Sequence, residues 1–207
     1  MWGLVQDGSI TKIINKPKGL VIDDIRYSRK IFELWSKAEL EAKGIYEVVF
    51  DNSNKKDEEF FINTNQSFNF ADGQITASYG AATPKLLEDR NQTNEDGSPM
   101  LDAQGNQVVT KGLKSQKKQI IKNQASALLE PTDLHNHKAL DDDTYTIPAN
   151  IKTFRADVRT KSNEMETAID NASDVDALET LYTYVNTGTE ENPVMERPLG
   201  EFPTLES

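Results

Sequence analysis

The chain contains no cysteine. That single absence excludes disulfides, thiolate zinc sites and cysteine nucleophiles together. No run approaches the roughly 18 apolar residues that a membrane-crossing helix requires. The opening "MWGLVQDGSI" has neither the basic segment nor the apolar segment of an export signal. Histidine is scarce, with His135 and His137 the only two. No P-loop, no G-x-G-x-x-G and no G-x-S-x-G is present. The expectation is a protein made in a cytoplasm that crosses no membrane and uses no cofactor.

Apolar residues are also few, at 36% with a mean hydropathy of −0.64, which is low for one compact core. Aromatics at 8% still argue against wholesale disorder. A thin, multi-part protein that buries surface against partners fits this balance. The net charge is −11, and it is uneven: residues 1–82 carry 10 basic and 12 acidic side chains, residues 83–207 carry 13 and 22. Phosphate neutralisation needs clustered Lys and Arg, so nucleic acid is not the expected ligand.

The pattern of elements predicts an α+β protein, a small N-terminal β-rich domain followed by a C-terminal antiparallel helical hairpin or bundle. Residues 1–82 read as short strands around Asp7-Gly8, Asp23-Asp24 and Ala71-Asp72-Gly73, the composition of tight hairpins. Within them "SKAELEAKGI" reads as one short helix, with Ser36 as cap, Glu39 completing a capping box and Gly44 as stop. Residues 83–112 read as a helix from Thr83-Pro84 to about Arg90. A projecting hairpin or loop insertion comes next, with turns at Asp96-Gly97 and Gly105-Asn106.

Residues 113–186 read as the helical hairpin or bundle. Leu113, Ile120, Ile121, Gln124 and Leu128 share one side of a first helix. Its other side carries Lys114, Lys117, Lys118 and Lys122, with no acid between Asp102 and Glu130. Such a face suits nucleic acid or an anionic membrane, or, more plainly, it is a solvated face or an ion-pairing partner for an acidic helix. Ile151, Phe154, Val158, Met165 and Ile169 come next at intervals of 3, 4, 7 and 4, a narrow heptad-like stripe suited to pairing. Folded back antiparallel, this helix would bring Glu164 and Glu166 toward Lys117, Lys118 and Lys122. Ser173 can cap a further helix through Val175, Leu178 and Leu181. Residues 187–207 read as a turn-rich tail with one small hairpin.

The joint "LLEPTDLHNHK", Leu128 to Lys138, raises the question of chemistry. A metal there would draw on His135 and His137 with Asp133, Asp141, Asp142 or Asp143, the H-x-H pair sharing a side only on a strand. "LDAQGNQVV" and "DDDTYT" are acidic but lack the alternating ligands and distal Glu of a calcium loop. The residues favour an interaction protein over an enzyme.

Two stretches resemble known proteins. "LLEPTDLHNHKALDDDTYTIPANIKTFRADVR" resembles a motif of tailed-bacteriophage tail proteins, notably tail-fibre assembly proteins and related tail or baseplate components. Leu128, Leu129, Pro131, Thr132, Asp133, Ile147, Pro148, Phe154, Arg155 and Arg159 carry the match. Leu134-His135 stand where that family has an aromatic pair. The N-terminal portion, with "PKGL" and "GIYEVVFDNS", is similar to marine phage proteins with a small N-terminal β domain.

The resemblance implies a virion structural component of the tail, baseplate or fibre-attachment region, or else a tail-fibre assembly chaperone. Other phage tail or fibre proteins, and further copies of itself, would be its partners. Leu128, Pro131, Thr132, Asp133, Ile151, Phe154, Val158, Met165 and Ile169 are the expected interface residues, and no catalytic, cofactor or metal residue is expected.

Overall fold

The computed structural model describes residues 1–205, so the last two residues of the expected tail, 206 and 207, lie outside the described part. The protein is α+β and divides into two compact units, Met1–Thr83 and Pro84–Ser207.

The first unit contains strands β1 (Trp2–Gln6), β2 (Ser9–Ile14), β3 (Leu20–Ile22), β4 (Ile25–Tyr27), β5 (Ile45–Asp51), β6 (Phe61–Ile62), β7 (Ser67–Ala71) and β8 (Gln74–Ser78), with helices α1 (Ile31–Leu34) and α2 (Lys37–Glu41). The main sheet has the order β2-β1-β5-β8-β7. It curls into a half-barrel in which the edge strands β2 and β7 approach each other. Asp7-Gly8 and Asp72-Gly73 turn β1 into β2 and β7 into β8 with both central residues at positive φ, the left-handed pair that a tight hairpin requires.

The β3–β4 hairpin uses Asp23 and Asp24 at φ of 49° and 64°, without a glycine. Alternation along β1 and β5 puts Leu4 and Ile45 with Ile14, Leu20, Ile22, Ile31 and Leu40 in one cluster. Val5 joins Val48, Ile75 and Ala77 in the other.

Ser36 and Glu39 form the expected capping box, Ser36 N donating to Glu39 Oε2 at 2.7 Å and Glu39 N to Ser36 Oγ at 3.3 Å. Gly44 stands at φ +74°, and a Cβ there would lie 2.3 Å from the Val5 carbonyl oxygen. Two features depart from the hairpin expectation. A four-residue helix, α1, precedes the expected one. And β5 pairs with β8 in parallel, a long-range contact that local turn signals do not encode.

The expected helix from Thr83 to Arg90 does not form. Thr83–Pro84 is a short strand (β9), and residues 85–89 are irregular. The physical reason is the use made of the segment. Leu86 O and Leu87 O accept from the first N–H groups of α3 (Leu113–Leu129), those of Leu113 at 2.8 Å and Lys114 at 3.1 Å. The Asp89 carboxylate accepts from Gly112 N at 2.9 Å. The irregular backbone here satisfies donors that a helix start leaves open. Gly112 is required for the approach, since a Cβ would sit 2.4 Å from the Glu88 backbone.

The hairpin expected beyond it is present. Strands β10 (Arg90–Asn91) and β11 (Val109–Thr110) pair, and bridges join Thr93 to Pro99 and Leu101 to Gln107. Gly97 and Gly105 turn the chain at φ +83°. The result is three short arms closed in a ring: Met100 N donates to Gln92 O, Val108 N to Met100 O, and Gln92 N to Val108 O, at 2.8–3.0 Å. The Gln107 amide Nε2 reaches the same three carbonyls, at 2.7, 3.1 and 3.0 Å. A polar hub orders a segment that has no apolar core of its own.

The helices are α3, α4 (Asp133–Asp141), α5 (Ala149–Asn171) and α6 (Val175–Tyr182), with a 3₁₀ turn over Glu130–Thr132. α3 and α6 both pack on α5. The cap of α6 is Asp174 and not Ser173: Asp174 Oδ1 accepts from Ala177 N at 2.7 Å, while the Ser173 hydroxyl donates to Asp174 Oδ2.

The chain then forms the small hairpin of β12 (Val185–Asn186) and β13 (Met195–Glu196). Beyond β13 the chain is no loose tail over its described length. Leu199 is buried, with its N–H on Leu181 O, and Phe202 packs against the Ala125, Phe154 and Val158 cluster.

Candidate functional site

Leu129, Thr132, Asp133 and Arg155, four of the residues singled out in the sequence, converge on one joint. Pro131 occupies the start of the 3₁₀ turn, where its missing N–H costs nothing. The chain does not leave helical conformation there for long, because α4 begins at Asp133. "LLEPTDLHNHK" is therefore a kinked helix, where a turn-like joint was expected.

The kink is held from α5. Arg155 is buried, and its guanidinium donates to Leu129 O at 3.0 Å and to Thr132 Oγ1. It also pairs with Asp133 Oδ1 at 2.8 Å. The Thr132 hydroxyl in turn donates to Leu129 O at 2.6 Å. One planar cation thus ties the last carbonyl of α3, the 3₁₀ turn and the first residue of α4.

The expected interface residues fall into two groups. Thr132 is buried in this clamp, Asp133 is half-buried, and Pro131 is exposed. Leu128 packs on Phe154 and Val158. Ile151, Phe154, Val158, Met165 and Ile169 are all buried inside the unit, so the stripe pairs with this chain's own helices.

The clamp holds out an unusual element. None of the nine residues of α4 is buried, and Leu134 and Leu140 are 59% and 80% exposed. A single nine-residue helix is marginal in water, and most helices are stabilised by packing an apolar face. α4 is held by a few polar contacts. At its start stands Arg155. Along its inner side His135 Nδ1 shares a 2.5 Å hydrogen bond with the Tyr145 hydroxyl, the rings being stacked. At its end Asp142 accepts from Thr144 N and Oγ1, bonds that hold its carboxyl below the usual range.

Helical geometry also separates His135 from His137 by about 200° around the axis, so the H-x-H pair does not share a side. Among the described residues no three His, Asp or Glu side chains are grouped to hold a metal. The carboxylates of the acidic turn at Asp102 accept from Gln104 N, Asn106 N and Asn106 Nδ2, which closes the turn.

The lysines of α3, and Lys111 just before it, are engaged within the unit. Lys111 pairs with Asp89 at 2.7 Å, Lys114 with Glu88 at 2.6 Å, Lys118 with Asp170 at 2.6 Å and Lys122 with Glu166 at 3.3 Å. Lys117 lies over the Tyr182 ring at 4.3 Å. Glu164 pairs with Lys161 one turn away.

Arg155 is the residue missing from the expected interface. Its signal was present: a strict heptad seam through Ile151, Val158, Met165 and Ile169 runs through Arg155 and Ser162 as well, both buried. A polar residue at a seam position marks a specific partner. No protein-family model, no curated protein and no solved structure matches this chain.

Proposed function

We propose that the chain is a structural component of a tailed-bacteriophage virion, placed in the tail, baseplate or fibre-attachment region and acting by protein–protein assembly. In this reading it is no enzyme, takes no cofactor, binds neither nucleic acid nor membrane, and resides in the particle after synthesis in the host cytoplasm. One observation carries the reading. Four of the residues on which the tail-protein resemblance rests, Leu129, Thr132, Asp133 and Arg155, meet in one clamp, and the clamp presents a helix with no buried residue and two exposed leucines. A helix fixed in direction but lacking a core is suited to docking on a partner. The projecting hairpin of β12 and β13, with Val185, Val194 and Met195 exposed, adds a second unpartnered element, since an isolated two-stranded hairpin is marginal by itself.

Mass spectrometry of purified, salt-washed particles of the encoding phage tests this. The chain is expected among the virion proteins, and its absence would end the proposal. The alternative, a tail-fibre assembly chaperone, draws on the same Pro-Thr-Asp joint. It predicts that co-expression raises the yield of soluble trimeric fibre, and no gain counts against it.

A further inference from the structure

We infer that α4 docks on a second copy of this chain, seating on the outward face of that copy's α3. The inference rests on the assembly reading and names one partner for it. α4 presents Leu134 and Leu140, and its C-terminal end runs into Asp141, Asp142 and Asp143. It is an apolar element with an acidic end.

The outward face of α3 is its complement. A shallow groove of about 590 Å³ there is lined by Ile120 together with Lys111, Lys118 and Lys122, and Ile120 is 44% exposed. The stretch from 103 to 129 contains no acidic residue, on a half of the chain where acids outnumber bases by 22 to 13. The lysines keep their intrachain partners, yet the side chains of Lys111 and Lys122 remain 63% and 59% exposed. The Lys122–Glu166 pair, at 3.3 Å on an exposed lysine, rearranges at little cost. Leu140, about 120° around the helix from Leu134, laid on Ile120 between lysine stems, with Asp141 to Asp143 meeting the ammonium groups, satisfies both surfaces.

Charge also decides against a two-fold pairing of α4 with itself. Antiparallel, Asp141 to Asp143 would face Glu130 and Asp133 of the other copy; parallel, the acidic tract would face itself. A head-to-tail contact has neither fault. It leaves one α4 and one α3 face free at the ends, so it propagates into a ring or a filament. A nine-residue helix covers less than the roughly 1,200 Å² of a stable interface, so a single link is weak and permanence comes from several links.

Sedimentation velocity on the full chain, up to on the order of 1 mM for so small a contact, tests this. The variants are Leu140→Asp, which disables α4, and Ile120→Asp, which disables the α3 face; both sites are exposed, and circular dichroism verifies folding. The wild type is expected to associate with concentration, and less so as salt is raised. Each variant alone should be monomeric. Their equimolar mixture should form a 1:1 pair and nothing larger, because one copy supplies an intact α4 and the other an intact α3 face.

A monomeric wild type, association that either variant preserves, or a mixture that stays monomeric each overturns the inference. A monomeric wild type would leave incorporation into particles, the test of the assembly reading, unaffected.

Discussion

Replacing Arg155 with methionine keeps the apolar stem and removes the guanidinium, so the change isolates the clamp. Three acceptors lose the same donor: Leu129 O, Thr132 Oγ1 and Asp133 Oδ1. Hydrogen bonds to a charged group contribute about 1.5–3 kcal/mol each, and breaking a fully buried ion pair costs about 3–5. Both figures are reduced here. Leu129 O keeps the Thr132 hydroxyl, and the Asp133 side chain is 48% exposed, so water takes over part of the loss.

The expected cost is about 2–3 kcal/mol for Arg155→Met and about 1–2 for Arg155→Lys, whose single ammonium cannot span three acceptors as a fork does. Urea unfolding gives the total, and hydrogen exchange locates it. Amides of α4 are expected to lose protection far more than those of α3 and α6, because α4 has no apolar face to retain it. A loss under about 0.5 kcal/mol, the scatter of an ordinary surface change, or exchange spread evenly over the unit, refutes the clamp.

Asp24→Gly is expected to stabilise the first unit by about 0.5–1 kcal/mol in urea, because Asp24 holds a left-handed conformation that glycine adopts without strain; an unchanged midpoint contradicts this. Gln107→Ala is expected to cost about 1 kcal/mol and to speed amide exchange at Gln92, Met100 and Val108, while protection of α5 stays as it was. Asp89 supplies a pH test. A hydrogen bond from Lys111, then those from the Gly112 N–H and the Ser115 hydroxyl, hold its carboxyl down at about 2 from an ordinary 3.8. The folded value lies below the unfolded one, so its contribution is complete above the unfolded value and disappears as pH falls toward 2. Protection at the start of α3 should fade across that window, and in Asp89→Asn it should already be low at neutral pH and flat across the same range.

The sequence disclosed local devices and concealed distant ones. Asp7-Gly8, Asp72-Gly73, the Ser36–Glu39 box and the turns at Gly97 and Gly105 were legible because each is settled within a few residues. The stripe from Ile151 to Ile169 was legible because burial on one side of a helix repeats with the heptad. The parallel pairing of β5 with β8 was not, since it joins residues such as Val48 and Ile75 that share no local signal.

The Thr83-Pro84 start was misleading because tertiary demand overrode propensity: the N-terminus of α3 uses the Leu86 and Leu87 carbonyls and the Asp89 carboxylate of a segment that stays out of helical form. α4 was hidden for the opposite reason. Leu134 and Leu140 bury nothing, so no periodic stripe announces it. Of the site, Leu129, Thr132, Asp133 and Arg155 were visible through the resemblance, but the bonds that unite them were not, since Arg155 sits 22 residues beyond Asp133 and no local pattern links the two.

The most direct test of docking through α4 uses the absence of native cysteine. Leu140→Cys gives one thiol, on the outer side of α4, and its rate of maleimide labelling reports whether that helix is covered. Rapid labelling in the isolated chain and strong protection in the intact particle are expected. Equal labelling in both, with the chain present in the particle, would contradict docking through α4.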